Sequence, residues 1–149
     1  MENKQLEKYV HLILQRSGST ANVILEKHFP GKKLAGGKYN IGTHTITLYI
    51  EDIKEQCVRL FSSLDRFPEY FAIVFAHELG HAEDSQLEAL ADQLDVVSDL
   101  ERKKIALQIE ENAWNFAQKL LREADEAFMN EIIDHSLRAY REAIQLETA

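Results

Sequence analysis

The sequence predicts an α+β fold: a mostly helical single domain over residues 1–149, with a small antiparallel β-sheet packed over a central buried helix. Three observations predict it. Apolar residues recur at helical spacing through most of the chain, strict two-residue alternation is confined to residues 33–50, and residues 70–76 are an unbroken apolar run leading into His77-Glu78-Leu79-Gly80-His81. A chain of 149 residues, 45% hydrophobic and 28% charged, has the size and balance of one globular core.

Taken in order, residues 2–16 read as an amphipathic helix with Leu6, Tyr9, Val10, Ile13 and Leu14 on one side, stopped at Gly18. Ser19 and Thr20 are placed to cap a short second helix through Val23, Ile24 and Leu25, halted by Phe29-Pro30-Gly31. The β region follows. Residues 33–39 and 43–50 read as two strands around Asn40-Ile41-Gly42, with Thr43, Thr45 and Thr47 opposing His44, Ile46 and Leu48. Gly36-Gly37 marks a bulge or a flap. Residues 51–61 form a helix on Ile53, Cys57, Leu60 and Phe61, and Phe67-Pro68 opens the central one, proline sitting where its missing N–H costs nothing.

His77 and His81 are four apart, so a helix stacks them on one face and both imidazoles can address one metal ion. Glu78 lies about 100° further round the cylinder, placed for a general base toward water rather than for a ligand. That pattern is the zinc-hydrolase arrangement of two histidines and a base. Past His81 the chain must turn back before it can supply a third ligand, because the 29 steps to Glu110 would otherwise span about 43 Å of helix. Ser85-x-x-Glu88 and Ser98-x-x-Glu101 are capping-box patterns that mark two helix starts, the first of them a spacer or lid.

The helix beyond carries Ile105, Ile109, Ala113, Phe116 and Leu120 at helical spacing and contains adjacent glutamates. Glu110 shares a line with Ala106, Leu107, Ala113, Trp114 and Ala117, whereas Glu111 shares one with Lys104, Asn115 and Gln118 as well as Leu107 and Trp114. Glu110 is therefore the expected third ligand, completing His77, His81 and Glu110. A last amphipathic helix runs from about residue 124 to 146.

Composition narrows the partners. The single cysteine, Cys57, excludes an intramolecular disulfide and a cysteine metal site. No apolar stretch approaches the roughly 20 residues of a membrane span, and the polar start Met1-Glu2-Asn3-Lys4 is no signal peptide, so a cytoplasmic protein is expected. The net charge of −8 is uneven: residues 1–66 hold ten Lys/Arg against seven Asp/Glu, and the remainder seven against eighteen. Nucleic-acid binding is disfavoured.

The pattern His-Glu-Leu-Gly-His, followed some thirty residues later by Glu-x-x-Ala-x-x-Phe-Ala, resembles the ImmA/IrrE-type zincin metallopeptidases of phages and mobile elements. The likeness covers about residues 34–121. It implies a zincin-like fold with zinc on His77, His81 and Glu110, Glu78 as catalytic base, and regulatory cleavage of a protein partner such as a repressor. One position departs: where members of that family often carry Asn or Asp, this chain has Trp114.

Three protein ligands leave one open position, the mark of a catalytic rather than a structural zinc site. The expected function is hydrolysis of a peptide bond in a protein or peptide substrate. His135, Tyr140, Tyr39 and Tyr49 are candidates to stabilise the oxyanion, His135 first among them, within Ile132-Ile133-Asp134-His135-Ser136-Leu137. The alternative is a non-catalytic interaction module in which zinc holds helices together. A base beside an open position favours the enzyme.

Overall fold

Leu6, Val10 and Ile13 are the buried face of helix α1 (Asn3–Ser17) in a computed structural model that describes residues 3–148. The predicted helix start at Glu2 lies outside the described residues. Gly18 ends α1 with φ +72°, its N–H reaching the Gln15 carbonyl at 3.2 Å, as the stop signal requires.

The next segment corrects the expectation of a second helix. Residues Asn22–Glu26 form a strand, β1, in which Val23 and Leu25 turn inward and Asn22, Ile24 and Glu26 are exposed. Ser19 caps no helix. Its hydroxyl donates to the Glu83 carboxylate at 2.8 Å and accepts the Ala21 N–H at 3.1 Å. Four apolar-alternating residues between Gly18 and Pro30 are too few to sustain a helix in isolation, while a waiting strand edge offers each of them a backbone partner.

That edge belongs to β3 (Thr45–Tyr49), which β1 joins in parallel with Val23 opposite Ile46 and Leu25 opposite Leu48. On its other side β3 pairs antiparallel with β2 (Gly37–Asn40), the hairpin the alternation predicts. The sheet is thus mixed rather than antiparallel, in the order β1-β3-β2, and β2 is an edge.

Helix α2 (Ile50–Phe61) buries Asp52 as well as Ile53 and Cys57. A carboxylate there needs partners. It accepts the backbone N–H groups of Phe29 (3.3 Å) and Ala35 (3.1 Å) and pairs with His28 Nδ1 (3.1 Å), pinning the loop that delivers Gly36 and Gly37. Burial alone would raise the Asp52 carboxyl, but the bonds from Ala35, His28 and Phe29 hold it below its ordinary range.

Helix α3 (Phe67–Ala82) is central, with Phe71, Phe75 and Leu79 fully buried. It packs against α1, α2, β2, β3 and a later helix, α5. The reversal after His81 is made by a turn and the short α4 (Leu87–Gln93). Here Asp84, not Ser85, supplies the local bond, accepting the Gln86 N–H at 2.9 Å. At α5 (Asp99–Leu120) the predicted cap is present: Ser98 Oγ accepts the Glu101 N–H at 3.2 Å. Helix α6 (Glu126–Thr148) returns across α5 and buries Phe128, Met129, Ile132, Ile133 and Leu137. No helix among the described residues is long and apolar enough to cross a membrane.

Candidate metal centre

Four side chains meet where α3 and α5 cross. His77 Nε2 lies 2.9 Å from Glu110 Oε1, and His81 Nε2 lies 3.2 Å from Glu110 Oε2, so one carboxylate spans both imidazoles. The two rings sit edge to face with centroids 4.7 Å apart, as the four-residue spacing requires. Glu111 is half-buried and joins neither histidine.

What lets α5 come so close is Gly80, one residue before His81. A Cβ at Gly80 would stand 2.3 Å from the Ala113 carbonyl oxygen and 2.7 Å from its Cα. Backbone thus meets backbone at the crossing, with Glu110 one turn from the contact.

Glu78 is buried and closer to the histidines than its place on the helix cylinder suggests. Its Oε2 lies 3.1 Å from His77 Nδ1, and His77, Glu78 and His81 present ligand atoms all within 4.8 Å of one another. This group could hold a metal ion. A proton on Nδ1 donated to Glu78 is the tautomer a metal ligand needs, since a bound cation would then take Nε2 in place of the bond that Nε2 now donates to Glu110.

The electrostatics also favour a cation. Burial pushes the Glu110 carboxyl up, but the hydrogen bonds from His77 and His81 overcome it and hold it at about 2. Burial pushes His77 down, yet Glu110 and Glu78 raise it to about 9. Two carboxylates around two imidazoles therefore retain a positive charge between them, and a divalent cation can take the proton's place. In a tetrahedral zinc site with bonds of about 2.0–2.1 Å, neighbouring donors are about 3.3 Å apart. The separations from His77 Nε2 and His81 Nε2 to the two Glu110 oxygens, 2.9 and 3.2 Å, are of that order.

Trp114 stacks on the His77 ring with centroids 4.3 Å apart and planes at 27°. Its indole N–H donates to Ser136 Oγ on α6 at 3.2 Å, tying the ligand helix pair to the last helix. Periodicity placed Trp114 inward but carried no signal that it would cover a histidine.

Beside the centre opens a cavity of about 230 Å³, bounded by Gly36 and Gly37 where the edge strand begins, Gln56 on α2, Glu78 on α3 and His135 on α6. His135, exposed at its rim, is thus brought to the site. Tyr140 lies near enough that, after burial, the Glu110 and Glu78 charges push its hydroxyl above the ordinary value. Tyr39 and Tyr49 are not part of the lining: Tyr39 bonds His44 Nδ1 at 2.8 Å, and Tyr49 is buried edge-on to Phe29. The lining takes nothing from α4, which packs against α5.

Comparison with protein-family models, with curated proteins and with solved structures finds no match to this chain.

Proposed function

We propose that this protein is a zinc-dependent metallopeptidase that hydrolyses a peptide bond in a protein partner. The observation that carries the reading is the convergence of His77 Nε2 and His81 Nε2 on one partly buried carboxylate, Glu110, beside a buried carboxylate, Glu78, that opens onto a cavity. The resemblance of His77-Glu78-Leu79-Gly80-His81 and Glu110-x-x-Ala113 to ImmA/IrrE-type metallopeptidases agrees with it and suggests regulatory cleavage, such as removal of a repressor.

His77, His81 and Glu110 would hold the zinc, which supplies Lewis acidity toward a carbonyl and lowers the pKa of a water. Glu78 takes the proton of the attacking water on its carboxylate and returns it to the leaving amine. His135, at the rim, is the donor to the carbonyl oxygen as it gains charge. The edge strand β2 presents a free backbone row beside the cavity, to which an extended peptide can add.

The test compares wild type with Glu78→Gln, both zinc-loaded, on a mixture of peptides from a digested proteome. Elemental analysis should give about one zinc per chain in both, while cleavage by the variant falls by about 10²–10⁴-fold. Zinc-loaded wild type that cleaves nothing, or a variant that cleaves as well as wild type, overturns the reading.

A further inference from the structure

The cavity beside Glu78 contains two polar groups that the proposed reaction does not use. Tyr70 is only 6% exposed, yet its hydroxyl has no hydrogen-bond partner among the described residues. No fully sealed side-chain nitrogen or oxygen among those residues lacks a partner, so the Tyr70 oxygen is reached from the cavities its residue lines, this one and a neighbouring one shared with Leu34 and Arg59. Gln56 is half-buried on the same wall, and its amide is likewise unpartnered among the described residues. Gly36 leaves room for it: a Cβ there would come within 2.7 Å of Gln56 Oε1.

Leu60, Val74 and Ile132 supply apolar wall, and Ser136, which already accepts the Trp114 indole N–H, adds a hydroxyl beside the residues of the centre. At about 230 Å³ the space is smaller than the roughly 300–1,000 Å³ of sites that enclose a whole small molecule. It suits one side chain of a larger substrate. An acidic side chain would meet the Glu78 carboxylate on the same lining, and a basic one would draw Glu78 into an ion pair and away from the attacking water. Arg59, which lines a neighbouring pocket with Tyr70 and Gln56, is 70% exposed and already pairs with Glu55 at 2.8 Å. A purely aliphatic or phenyl side chain would fit the walls but strand the hydroxyl and the amide without water or partner.

We infer that this cavity is a subsite for one substrate side chain beside the bond that is cut, selecting uncharged side chains with a hydrogen-bonding tip, tyrosine and glutamine foremost. The inference deepens the peptidase reading and rests on it for the position of the bond. Tyr70 and Gln56 are specificity residues, pairing with the tip of the bound side chain while the apolar walls hold its stem.

The test titrates ¹⁵N-labelled, zinc-loaded protein with the N-acetyl amides of tyrosine, phenylalanine, glutamine and leucine. The Gln56 side-chain amide and the Trp114 indole N–H should shift with the tyrosine and glutamine amides, at affinities about tenfold or more above those for phenylalanine and leucine. The Tyr70→Phe variant, its fold checked by the same spectrum, should lose the difference between tyrosine and phenylalanine. Equal affinities, shifts confined to other residues, or a difference that survives in Tyr70→Phe overturns the inference. The cleavage profile of wild type separates the two readings. Cleavage with no enrichment of tyrosine or glutamine next to the cut overturns the subsite and leaves the peptidase, whereas selective amide binding with no cleavage supports the selectivity and overturns the peptidase.

Discussion

Gly37 lies against the proposed base. A Cβ at this position would stand 2.7 Å from Glu78 Cγ and 3.0 Å from its Cδ, too near the root of the side chain for a small rotation to relieve. Gly37→Ala should therefore turn the Glu78 carboxylate away from the cavity while His77, His81 and Glu110 keep their places. The expected outcome is unchanged zinc content with kcat for peptide cleavage down about 10²-fold, measured on zinc-loaded protein with KM followed separately. At the same scale, Trp114 explains how the site does without a polar residue at its position. Glu78 already addresses His77 Nδ1, and what the ring still needs is a surface to lie on.

Among the elements, the crossing of α3 and α5 decides whether a metal site exists. Gly80 and Ala113 put backbone against backbone, and the neighbours at fault in Gly80→Ala would be main-chain atoms that cannot swing aside. The helices must separate, which should lower stability by about 1–3 kcal/mol and weaken zinc binding, read by denaturant unfolding and by competition with a chromophoric chelator. The loop before β2 shows the same economy of means: a single buried carboxylate, Asp52, holds Phe29, Ala35 and His28, so Gly36 and Gly37 arrive at the cavity along a defined path. The helices were legible because their apolar residues repeat every three or four positions and their ends carry local signals, as at Gly18, Pro68 and Ser98. Strand β1 was not. Its residues alternate for too short a span to distinguish strand from helix, and its partner β3 lies about twenty positions further along the chain.

For the molecule as a whole, a metal bound at the proposed site between α3 and α5 would stabilise the folded state, because the unfolded chain does not hold His77, His81 and Glu110 together. Free zinc at 100 times Kd should add about 2.7 kcal/mol, a rise in Tm of roughly 5–10 °C for a chain of this size. Calorimetry with zinc and with chelator checks it, and Glu110→Ala should show a much smaller rise. The excess of acidic residues beyond residue 66 follows from the same division of the chain: α4, α5 and α6 expose polar faces rich in carboxylates, while Glu78 and Glu110 are withdrawn from that surface into the centre.

The sequence by itself determined the helices α1 to α6, the shared face of His77 and His81, the burial of the helix that carries them, and the inward lean of Glu110 over Glu111. Each of these depends on periodicity or on neighbours within a few positions, and such relations survive without knowledge of the fold. Only the tertiary structure decided that β1 pairs in parallel with β3, that Gly80 admits α5 close enough for Glu110 to span two imidazoles, that Trp114 covers His77, and that Tyr70 and Gln56 face one cavity with Glu78. These are distances between segments far apart along the chain, set by which surfaces the whole core brings together, and no local repeat encodes them.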